Sequence, residues 1–449
     1  MANIGILGAG SWGLGLAMLL NNNGHDVTVW SVFPDEIKEL DETRENKRCL
    51  PGVIFPEHIK FNADTEYVVK NSDVLVLAVA SPYTRSTAKI IAPFVKEGQY
   101  IVNVGKGIEE HTLKTLCEVT KDEVPQATMA VLSGPSHAEE VGRGIPTTCV
   151  IGTAKKSDAE YLQNIFMSNV FRVYISPDVL GICIGGALKN VIALAAGVAD
   201  GLGYGDNTKA ALITRGIAEI SRLGCAMGAD IKTFAGLSGI GDLIVTCASM
   251  HSRNRRAGIL IGKGHSMKEA MDEVQMVVEG VYAAKAALEL AKKYNVEMPI
   301  VEQVNLVLFE GKAPAEGVKD LMLRDKKIDS ASAVRSSGSR SRRQPTARTF
   351  LSVEIIVVRS RISAARSFRT PCGSCRTCDF GNACDFYGLR DSSGFCRFSP
   401  SAALRGLRRP VFLPANCRDI FFRASDRRKR GKNGVLRRKY RTREADLFL

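Results

Sequence analysis

The first 180 residues alternate short apolar runs with stretches of helical periodicity. Asn3–Leu7 is a short apolar run, Ser11–Asn22 has helical spacing, and residues 27–30 form a second apolar run. Residues 74–79, VLVLAV, are apolar on both faces, which is typical of strands in a sheet that helices cover on each side. Three more runs continue the series, at residues 100–104, 129–132 and 147–151. The pattern predicts an α/β fold, with a Rossmann-type doubly wound parallel sheet as a dinucleotide-binding domain over residues 1–180.

Beyond residue 180 the apolar positions recur at helical spacing, without a strand pattern of comparable strength. Five segments carry this spacing, residues 188–198, 209–227, 267–276, 283–294 and 300–309. Gly-rich turns such as GLGYGDN and GLSGIGD separate some of them. We therefore predict an all-helical second domain over residues 181–328.

No apolar run approaches the roughly 18 residues that a membrane span needs, so the sequence predicts no membrane span. The start of the chain, MANIGILGAG, has no basic leader before its apolar stretch and is typical of a buried strand. Together these features predict a cytoplasmic protein.

The formal net charge of +14 is confined to the end of the chain. Residues 329–449 hold 27 Lys and Arg, 24 of them Arg, against nine Asp and Glu, whereas residues 1–328 hold 34 basic and 38 acidic residues. The first 328 residues therefore have the charge balance of an ordinary globular protein, and we expect no specific nucleic-acid partner for them.

The composition changes abruptly to Ser, Arg and Cys after residue 328. We interpret residues 329–449 as a disordered tail, or as an out-of-frame or misjoined extension. Two alternatives stay open for this segment. Its cysteines Cys372, Cys375, Cys378 and Cys384 have spacings that suit a metal ion or an iron–sulfur cluster. Its arginines are compatible with a nucleic-acid-binding arm.

A glycine motif follows the first predicted strand and opens the first helix. Gly8 permits a tight turn, Gly10 lets the backbone approach a pyrophosphate, and Gly13 lets helix and strand pack closely. An acidic residue at the end of the second strand would favour NAD, and an Arg there would favour NADP. The chain has Val32 and Phe33 at this point, with Asp35 and Glu36 slightly later, so the motif leaves NAD and NADP open.

Two lysines stand where a lysine is unusual. Lys106 lies between glycines in NVGKG, at the end of a predicted strand, where α/β sheets bind ligands. Lys189 interrupts an otherwise apolar helix, where burial would lower its pKa toward the range of a proton-transfer group. Each lysine alone is more often a solvated charge, but their combination favours a site. No His-rich or Cys-rich cluster before residue 329 has metal-ligand spacing, so we expect no metal. For any step that moves a proton at this site, we favour a lysine as the general base.

Two polar turns complete the set of candidate motifs. SGPSHA, from residue 133, follows a predicted strand, and SRNRR, from residue 252, brings Arg and Asn to the start of a helix. Guanidinium groups beside free helix N–H groups suit a phosphate. The alternative for the second turn is a basic helix face in water.

In this order, the motifs resemble those of the bacterial NAD(P)-dependent glycerol-3-phosphate dehydrogenases. The matching segments are GAGSWG, VGKGIE, SGPSHAEEV, GALKNVIALAAG, GLSGIGDLIVTC, SRNRR and VVEG. The resemblance covers residues 2–328. It implies reversible hydride transfer between C2 of glycerol 3-phosphate and NAD or NADP, with dihydroxyacetone phosphate as the oxidised partner, and hence a supply of glycerol 3-phosphate for phospholipid synthesis. It also implies that the helical domain over residues 181–328 is the substrate-binding and catalytic domain. It further implies a small-molecule substrate and a homodimer.

The resemblance further implies roles for individual residues. Lys189 corresponds to the general acid/base at the C2 oxygen, and Lys106 and Asp242 are the other catalytic residues. The implied substrate-binding residues are Lys106, Gly134, Ser136, Lys189, Asn190, Asp242, Ser252, Arg253 and Asn254. The implied cofactor-binding residues are Gly8, Gly10, Ser11, Trp12, Gly13, Val32, Phe33, Lys106, Ala138, Arg253, Val277 and Glu279. Many relatives carry Arg where Val32 and Phe33 stand, which weakens an NADP-only assignment.

Two other classes of function stay open at this point. One is a nucleic-acid-binding or scaffolding protein that acts through its tail and whose body is a vestigial fold. The argument against it is the intact set of candidate residues, Lys106, Lys189, Asp242 and Arg253. The other is a dehydrogenase for a different hydroxy acid, against which the phosphate-type motif SRN argues.

Overall fold

The computed structural model describes residues 1–325. In this part of the chain, a sheet with helices on both faces is followed by a helical bundle. The hypotheses about residues 329–449, namely the disordered or misjoined tail, the cysteine cluster and the basic arm, concern segments that lie outside the described residues.

Within residues 1–325, eight strands form one sheet. They are β1 (Asn3–Leu7), β2 (Asp26–Trp30), β3 (Lys60–Phe61), β4 (Val74–Leu77), β5 (Tyr100–Asn103), β6 (Thr128–Ser133), β7 (Thr147–Gly152) and β8 (Phe171–Ser176). Their order across the sheet is β3-β2-β1-β4-β5-β6-β7-β8, and every neighbouring pair is parallel except β6 with β7. The first six strands have the 3-2-1-4-5-6 order of the Rossmann fold, which confirms the predicted fold class.

The strands of this sheet are apolar on both sides because helices cover both faces. Ile6 and Val76 pack into the core on one face, and Leu75 and Leu77 pack into the core on the other. The covering helices are α1 (Ser11–Asn22), α2 (Pro34–Thr43), α3 (Thr65–Lys70), α4 (Thr84–Ile91), α5 (Leu116–Glu123), α6 (Ala138–Val141) and α7 (Lys156–Phe166). The chain order reverses beside β1, so the carboxyl ends of β1 and β4 border the crevice where such sheets bind ligands.

The bundle contains the remaining helices of the described residues. They are α8 (Val179–Gly201), α9 (Asp206–Ala226), α10 (Ile231–Phe234), α11 (Asp242–Ala248), α12 (Arg253–Gly262), α13 (Met267–Val274), α14 (Glu279–Lys293), α15 (Pro299–Phe309) and α16 (Pro314–Met322). The central helix α8 packs against α9, α11, α12 and α14. It meets α12 backbone to backbone, because a Cβ on Gly197 would lie 2.1 Å from the Arg255 carbonyl oxygen and one on Gly258 would lie 2.2 Å from that of Leu194. This close packing fixes the start of α12 against the middle of α8.

The expectation that no apolar run approaches the length of a membrane span is wrong. Two helical stretches, Val179–Gly201 and Ile231–Ala248, are long and apolar enough to cross a membrane by length and composition. Within the structure, 78% of the apolar window of the first stretch is buried, because neighbouring helices surround α8 on all sides. A helix that is apolar all round is also what the centre of a soluble bundle requires, so the two stretches are weak evidence for a membrane span.

Other details of the fold differ from the sequence prediction. The edge strand β8 was not predicted, because exposed Arg172 and Tyr174 alternate with its buried residues. The antiparallel pairing of β7 with β6 was not predicted either. Helix α8 begins nine residues before the predicted start at residue 188, with Asp178 accepting a hydrogen bond from the Gly181 N–H at 2.9 Å. The predicted turn GLSGIGD is a single π-type helical turn, Leu237–Gly241, that leads directly into α11.

Candidate active site

A buried carboxylate between two lysines forms the centre of the candidate site. Asp242 Oδ1 accepts a hydrogen bond from Lys189 Nζ at 2.5 Å, and Asp242 Oδ2 accepts one from Lys106 Nζ at 2.6 Å. Only 1% of the Asp242 side chain is exposed, against 8% for Lys189 and 14% for Lys106. The three side chains come from α11, α8 and the loop after β5, so the site lies where the sheet meets the bundle.

The turn before α11 is built to place Asp242 there. Gly239 has backbone angles outside the helical region, and a Cβ at this position would lie 2.1 Å from the Phe234 carbonyl oxygen. A glycine is therefore needed at this turn for α10 and α11 to approach each other. A Cβ on Gly185 of α8 would lie 2.5 Å from the Ser238 carbonyl oxygen, so the same turn also packs tightly on α8. Asp242 is the first residue of α11 and faces Lys189 across this contact.

Thr246 is a further member of this cluster that the sequence interpretation missed. It lies one turn after Asp242 on α11, and its hydroxyl accepts a hydrogen bond from Lys189 Nζ at 2.7 Å. The same hydroxyl donates to the Asp242 backbone carbonyl at 2.6 Å. The spacing of four residues from Asp242 places both side chains on one face of a helix, which is the signal that could have identified Thr246.

The electrostatics separate the roles of Asp242 and Lys189. Burial lowers the pKa of the Lys189 ammonium to about 8, against the opposing effect of the Asp242 carboxylate. Burial alone would raise the pKa of Asp242, but the charges of Lys106 and Lys189 bring it below its usual value. At neutral pH the carboxylate is therefore ionised, and Lys189 is a buried ammonium that can lose its proton near physiological pH.

The loop after β6 brings further polar groups to Lys106. Lys106 Nζ donates to the Gly134 carbonyl at 3.0 Å and lies 3.4 Å from Ser136 Oγ. Gly134 has φ of 146°, and a Cβ at this position would lie 3.0 Å from the Cys149 Cα, so the loop requires a glycine there. His137 follows, and burial and then the charge of Lys189 lower its pKa, which favours a neutral ring.

A chain of amide groups connects α8, α12 and α14 beside the lysines. Asn254 donates to Asn190 Oδ1 at 2.9 Å and accepts from the Gly280 N–H at 2.8 Å. Asn190 Nδ2 lies 3.4 Å from Glu279 Oε2, and the Ser81 N–H lies 3.4 Å from Glu279 Oε1. Burial raises the pKa of Glu279. Both the oxygen and the nitrogen of the Asn254 side-chain amide are thus hydrogen-bonded within the protein, and these bonds hold the start of α12 against α8 and α14.

The glycine turn after β1 has the geometry of a pyrophosphate cradle. Gly8 has φ of 123° and its N–H donates to the Trp30 carbonyl at the end of β2 at 2.8 Å. A Cβ on Gly13 would lie 2.1 Å from the Gly8 carbonyl oxygen, whereas one on Gly10 would meet no described atom within 4 Å. Helix α1 begins after Gly10 without a side-chain cap from the described residues, and Gly10, Ser11 and Trp12 line the cleft, so its first N–H groups are left for a ligand. The buried Trp12 Nε1 beside it has no hydrogen-bond partner among the described residues. These features fit a dinucleotide.

One cleft joins the glycine turn to the lysine cluster. The predicted site residues that line it are Gly10, Ser11, Trp12, Lys106, Ser136, Ala138, Lys189, Asn190, Ser252, Arg253, Asn254 and Glu279. Asp242 and Gly134 lie behind this lining and contact it through Lys106. The predicted residues Gly8, Gly13, Val32, Phe33 and Val277 do not line this cleft. The cleft also includes Thr246, His251 and Met250, which the sequence interpretation did not single out. His137 and Arg256, which belong to the predicted motifs SGPSHA and SRNRR but had no assigned role, line it as well.

The fold and the cleft define a class of protein, the Rossmann-type nicotinamide-dependent oxidoreductases with a helical substrate domain. Within this class, the sequence profile for the N-terminus of NAD-dependent glycerol-3-phosphate dehydrogenase matches residues 3–159, and the profile for its C-terminus matches residues 178–319. The chain belongs to the NAD-dependent glycerol-3-phosphate dehydrogenase family. The predicted resemblance and enzyme class are therefore confirmed.

Individual relatives agree with this assignment. The chain is 62% identical over 332 residues to a glycerol-3-phosphate dehydrogenase [NAD(P)+] of Agathobacter rectalis, over 74% of this chain and 99% of the relative. It is 49% identical over 329 residues to one of Bacillus subtilis, over 73% of this chain and 95% of the relative. The crystal structure of glycerol-3-phosphate dehydrogenase from Coxiella burnetii superposes with a TM-score of 0.70 at 36% identity, covering 72% of this chain and 99% of that one.

Proposed function

We propose that this protein catalyses reversible hydride transfer between C2 of glycerol 3-phosphate and a nicotinamide cofactor, NAD or NADP, with dihydroxyacetone phosphate as the oxidised partner. The observation that carries the proposal is the pairing of Lys189 with Asp242 in a cleft that continues to the glycine turn. When bound, the nicotinamide supplies the hydride donor or acceptor at its C4.

Lys189 moves the proton at the C2 oxygen. In the reductive direction its ammonium donates a proton to the oxygen of the carbonyl as negative charge develops there, and in the oxidative direction its neutral amine accepts the hydroxyl proton. A pKa of about 8 suits both directions near physiological pH. Asp242 and Thr246 hold Nζ in place through contacts of 2.5 and 2.7 Å.

Lys106 supplies a second cationic group beside the reacting oxygen. Its Nζ is anchored by Asp242 and by the Gly134 carbonyl, so its charge is fixed in position before the substrate arrives. Preorganised charge of this kind stabilises the oxygen in the transition state without reorganisation of the site.

The start of α12 binds the phosphate of the substrate. Arg253 lines the cleft, and Ser252 caps the helix by accepting a hydrogen bond from the Arg255 N–H at 3.2 Å. A guanidinium beside the N–H groups of a helix start suits a phosphate dianion. Asn254 contributes through its contacts with Asn190 and Gly280, which fix this helix start.

Gly10, Ser11, Trp12 and the start of α1 would hold the pyrophosphate of the cofactor. The resemblance adds Ala138, Val277 and Glu279 to the residues that would bind the cofactor. The proposal also includes a supply of glycerol 3-phosphate for phospholipid synthesis. The cytoplasmic location and the homodimer stay predictions.

The direct test of this function is the oxidation of NADH or NADPH by the purified full-length chain with dihydroxyacetone phosphate. Dihydroxyacetone, the same ketone without its phosphate, is the matched control substrate. We expect its kcat/KM to be lower by at least about 10²-fold, because phosphate binding energy is used to orient the ketone. Absence of dihydroxyacetone-phosphate-dependent oxidation with both cofactors would refute the proposed function.

A further inference from the structure

A carboxylate stands at the end of β2, where Rossmann folds bind the adenosine ribose. Ser31 follows the last residue of β2, next to the contact between Gly8 and Trp30 that ties the glycine turn to this strand. The Ser31 hydroxyl donates a hydrogen bond to Glu36 Oε2 at 2.6 Å and accepts one from the Phe33 N–H at 3.3 Å. Ser31 is 5% exposed, so a buried hydroxyl fixes the orientation of the Glu36 carboxylate through this hydrogen bond.

Glu36 takes the place of an acidic residue on the strand itself. The acidic residue that reads the ribose of NAD usually stands about 20 residues beyond the glycine motif, at the strand end. Here that position holds Ser31, whose hydroxyl donates a hydrogen bond to Glu36 in the first turn of α2. The carboxylate is therefore held close to the strand end by Ser31. Among the described residues, the hydrogen bond to the Glu36 carboxylate comes from Ser31, and it uses Oε2. The other oxygen, Oε1, is therefore available to a ligand.

The charge around this point is predominantly negative. Asp35 and Glu36 lie in the first turn of α2, and Glu39 follows one turn later. The nearby cation is Arg48. The pKa of its guanidinium is raised first by its hydrogen bond with Cys49 and further by the negative charges of Glu36 and Glu39. The adjacent Val32 and Phe33 are exposed and carry no charge. The three carboxylates outnumber Arg48, so a 2′-phosphate would meet a net negative charge here, and like charges in close contact disfavour binding.

We infer that Glu36, oriented by Ser31, accepts a hydrogen bond from the 2′-hydroxyl of the adenosine ribose and repels a 2′-phosphate, so that this chain prefers NADH to NADPH. The inference rests on the proposed function and deepens it, because it concerns which of the two cofactors the same cleft takes. It makes Glu36 a specificity-determining residue, although it lies outside the cleft that contains the lysines.

The test is direct binding of each reduced cofactor to the full-length chain, by fluorescence titration without substrate. We expect the Kd for NADH to be at least about tenfold lower than that for NADPH. Glu36→Gln keeps the size of the side chain and an acceptor for Ser31 but removes the charge. This variant should reduce the preference at least fivefold, mainly through tighter binding of NADPH. The matched control is Glu39→Gln, one turn further along α2, which should leave the ratio of the two Kd values within about twofold of wild type.

Ser31→Ala provides a second variant that leaves the charge of Glu36 in place and removes its orientation. It should weaken NADH binding by about three- to tenfold, while the melting temperature reports whether the fold is intact. Equal affinity of the wild type for both cofactors, a preference for NADPH, or an unchanged ratio in a folded Glu36→Gln variant would each overturn the role of Glu36 and leave the proposed dehydrogenase standing. Failure to bind either cofactor would instead refute the proposed function and this inference with it.

Discussion

The carboxylate of Asp242 lies 2.5 Å from Nζ of Lys189, although the two residues are 53 positions apart in the sequence. The contact joins the start of α11 to the middle of α8, and both groups are buried. A buried lysine paired with a buried carboxylate has a proton affinity that depends on its partner, so this contact links the packing of two helices to the chemistry proposed for the cleft.

Replacing Asp242 should change the pH dependence of the reaction. The ammonium form of Lys189 has a pKa of about 8 and is required for carbonyl reduction, so the reductive kcat of the wild type should fall as the pH rises through about 8. Asp242→Asn removes the negative charge that favours the ammonium, so the pKa of Lys189 falls and the decline should begin at a lower pH. The measurement is kcat for dihydroxyacetone phosphate reduction from pH 5.5 to 9.5. A variant whose profile keeps its midpoint would show that Asp242 does not tune Lys189.

Thr246 should act as a positioning residue for Lys189. Thr246→Val removes the hydroxyl that accepts from Lys189 Nζ at 2.7 Å while it keeps the volume of the side chain. We expect kcat to fall by about tenfold, with a much smaller change in KM, because the lost contact is worth about 1–1.5 kcal/mol. Thr246→Ser restores the hydroxyl and should recover most of kcat. If Val and Ser variants have the same kcat, the hydroxyl does not position Lys189.

Arg253 should contribute mainly to phosphate binding. Arg253→Ala removes a charge-assisted contact worth about 1.5–3 kcal/mol and should raise KM for dihydroxyacetone phosphate by about 10–100-fold. Inorganic phosphate should compete with the substrate in the wild type and much less in the variant. Lys263→Ala, at the exposed far end of the same helix, is the control for a general loss of positive charge. Equal inhibition of wild type and Arg253→Ala by phosphate would remove Arg253 from the phosphate site.

Glu219 should make stability depend on pH independently of the cleft. It is 2% exposed and accepts hydrogen bonds from the Ile300 and Val301 N–H groups at the start of α15, and burial raises its pKa to about 7. Because this value exceeds that of the unfolded chain, the contribution of Glu219 to stability is full below about pH 4.5 and is lost as the pH rises toward 7.

Glu219→Gln removes that titration and should raise the free energy of unfolding at pH 8 by on the order of 2 kcal/mol, with little change at pH 4.5. Chemical denaturation at both pH values measures it. Glu302→Gln, on α15 near the same helix start, is the control. Stabilisation of equal size at both pH values would contradict the buried, protonatable state of Glu219.

The parts of the fold that local sequence dictates were predictable. The turn at Gly8 was predicted because its backbone requirements are set by neighbours within a few residues, and α1 has the predicted bounds. The edge strand β8 was missed because exposure of Arg172 and Tyr174 weakens its apolar pattern. The resemblance suggested Asp242 as a residue that tunes the catalytic lysine, whereas the contact between Lys189 and Asp242 itself depends on the tertiary packing of α8 on α11, which no local pattern contains. Thr246 was missed although its spacing of four residues from Asp242 is a local signal, because that spacing has a meaning only once Asp242 is known to face Lys189. The contact between Ser31 and Glu36 was missed because it depends on how the chain turns from the end of β2 into α2.

The most direct test of the account is the turnover of Lys189→Ala measured together with its NADH affinity. We predict that kcat for dihydroxyacetone phosphate reduction falls by at least about 10²-fold while the Kd for NADH changes by less than about threefold, because Lys189 moves a proton and does not hold the cofactor. The control is Lys209→Ala. Lys209 lies on the neighbouring helix α9, and its Nζ is 2.9 Å from Asp200 Oδ1 on α8. This variant should retain near-normal turnover. A Lys189→Ala enzyme that keeps most of its kcat at saturating substrate would contradict the assignment of Lys189 as the acid/base.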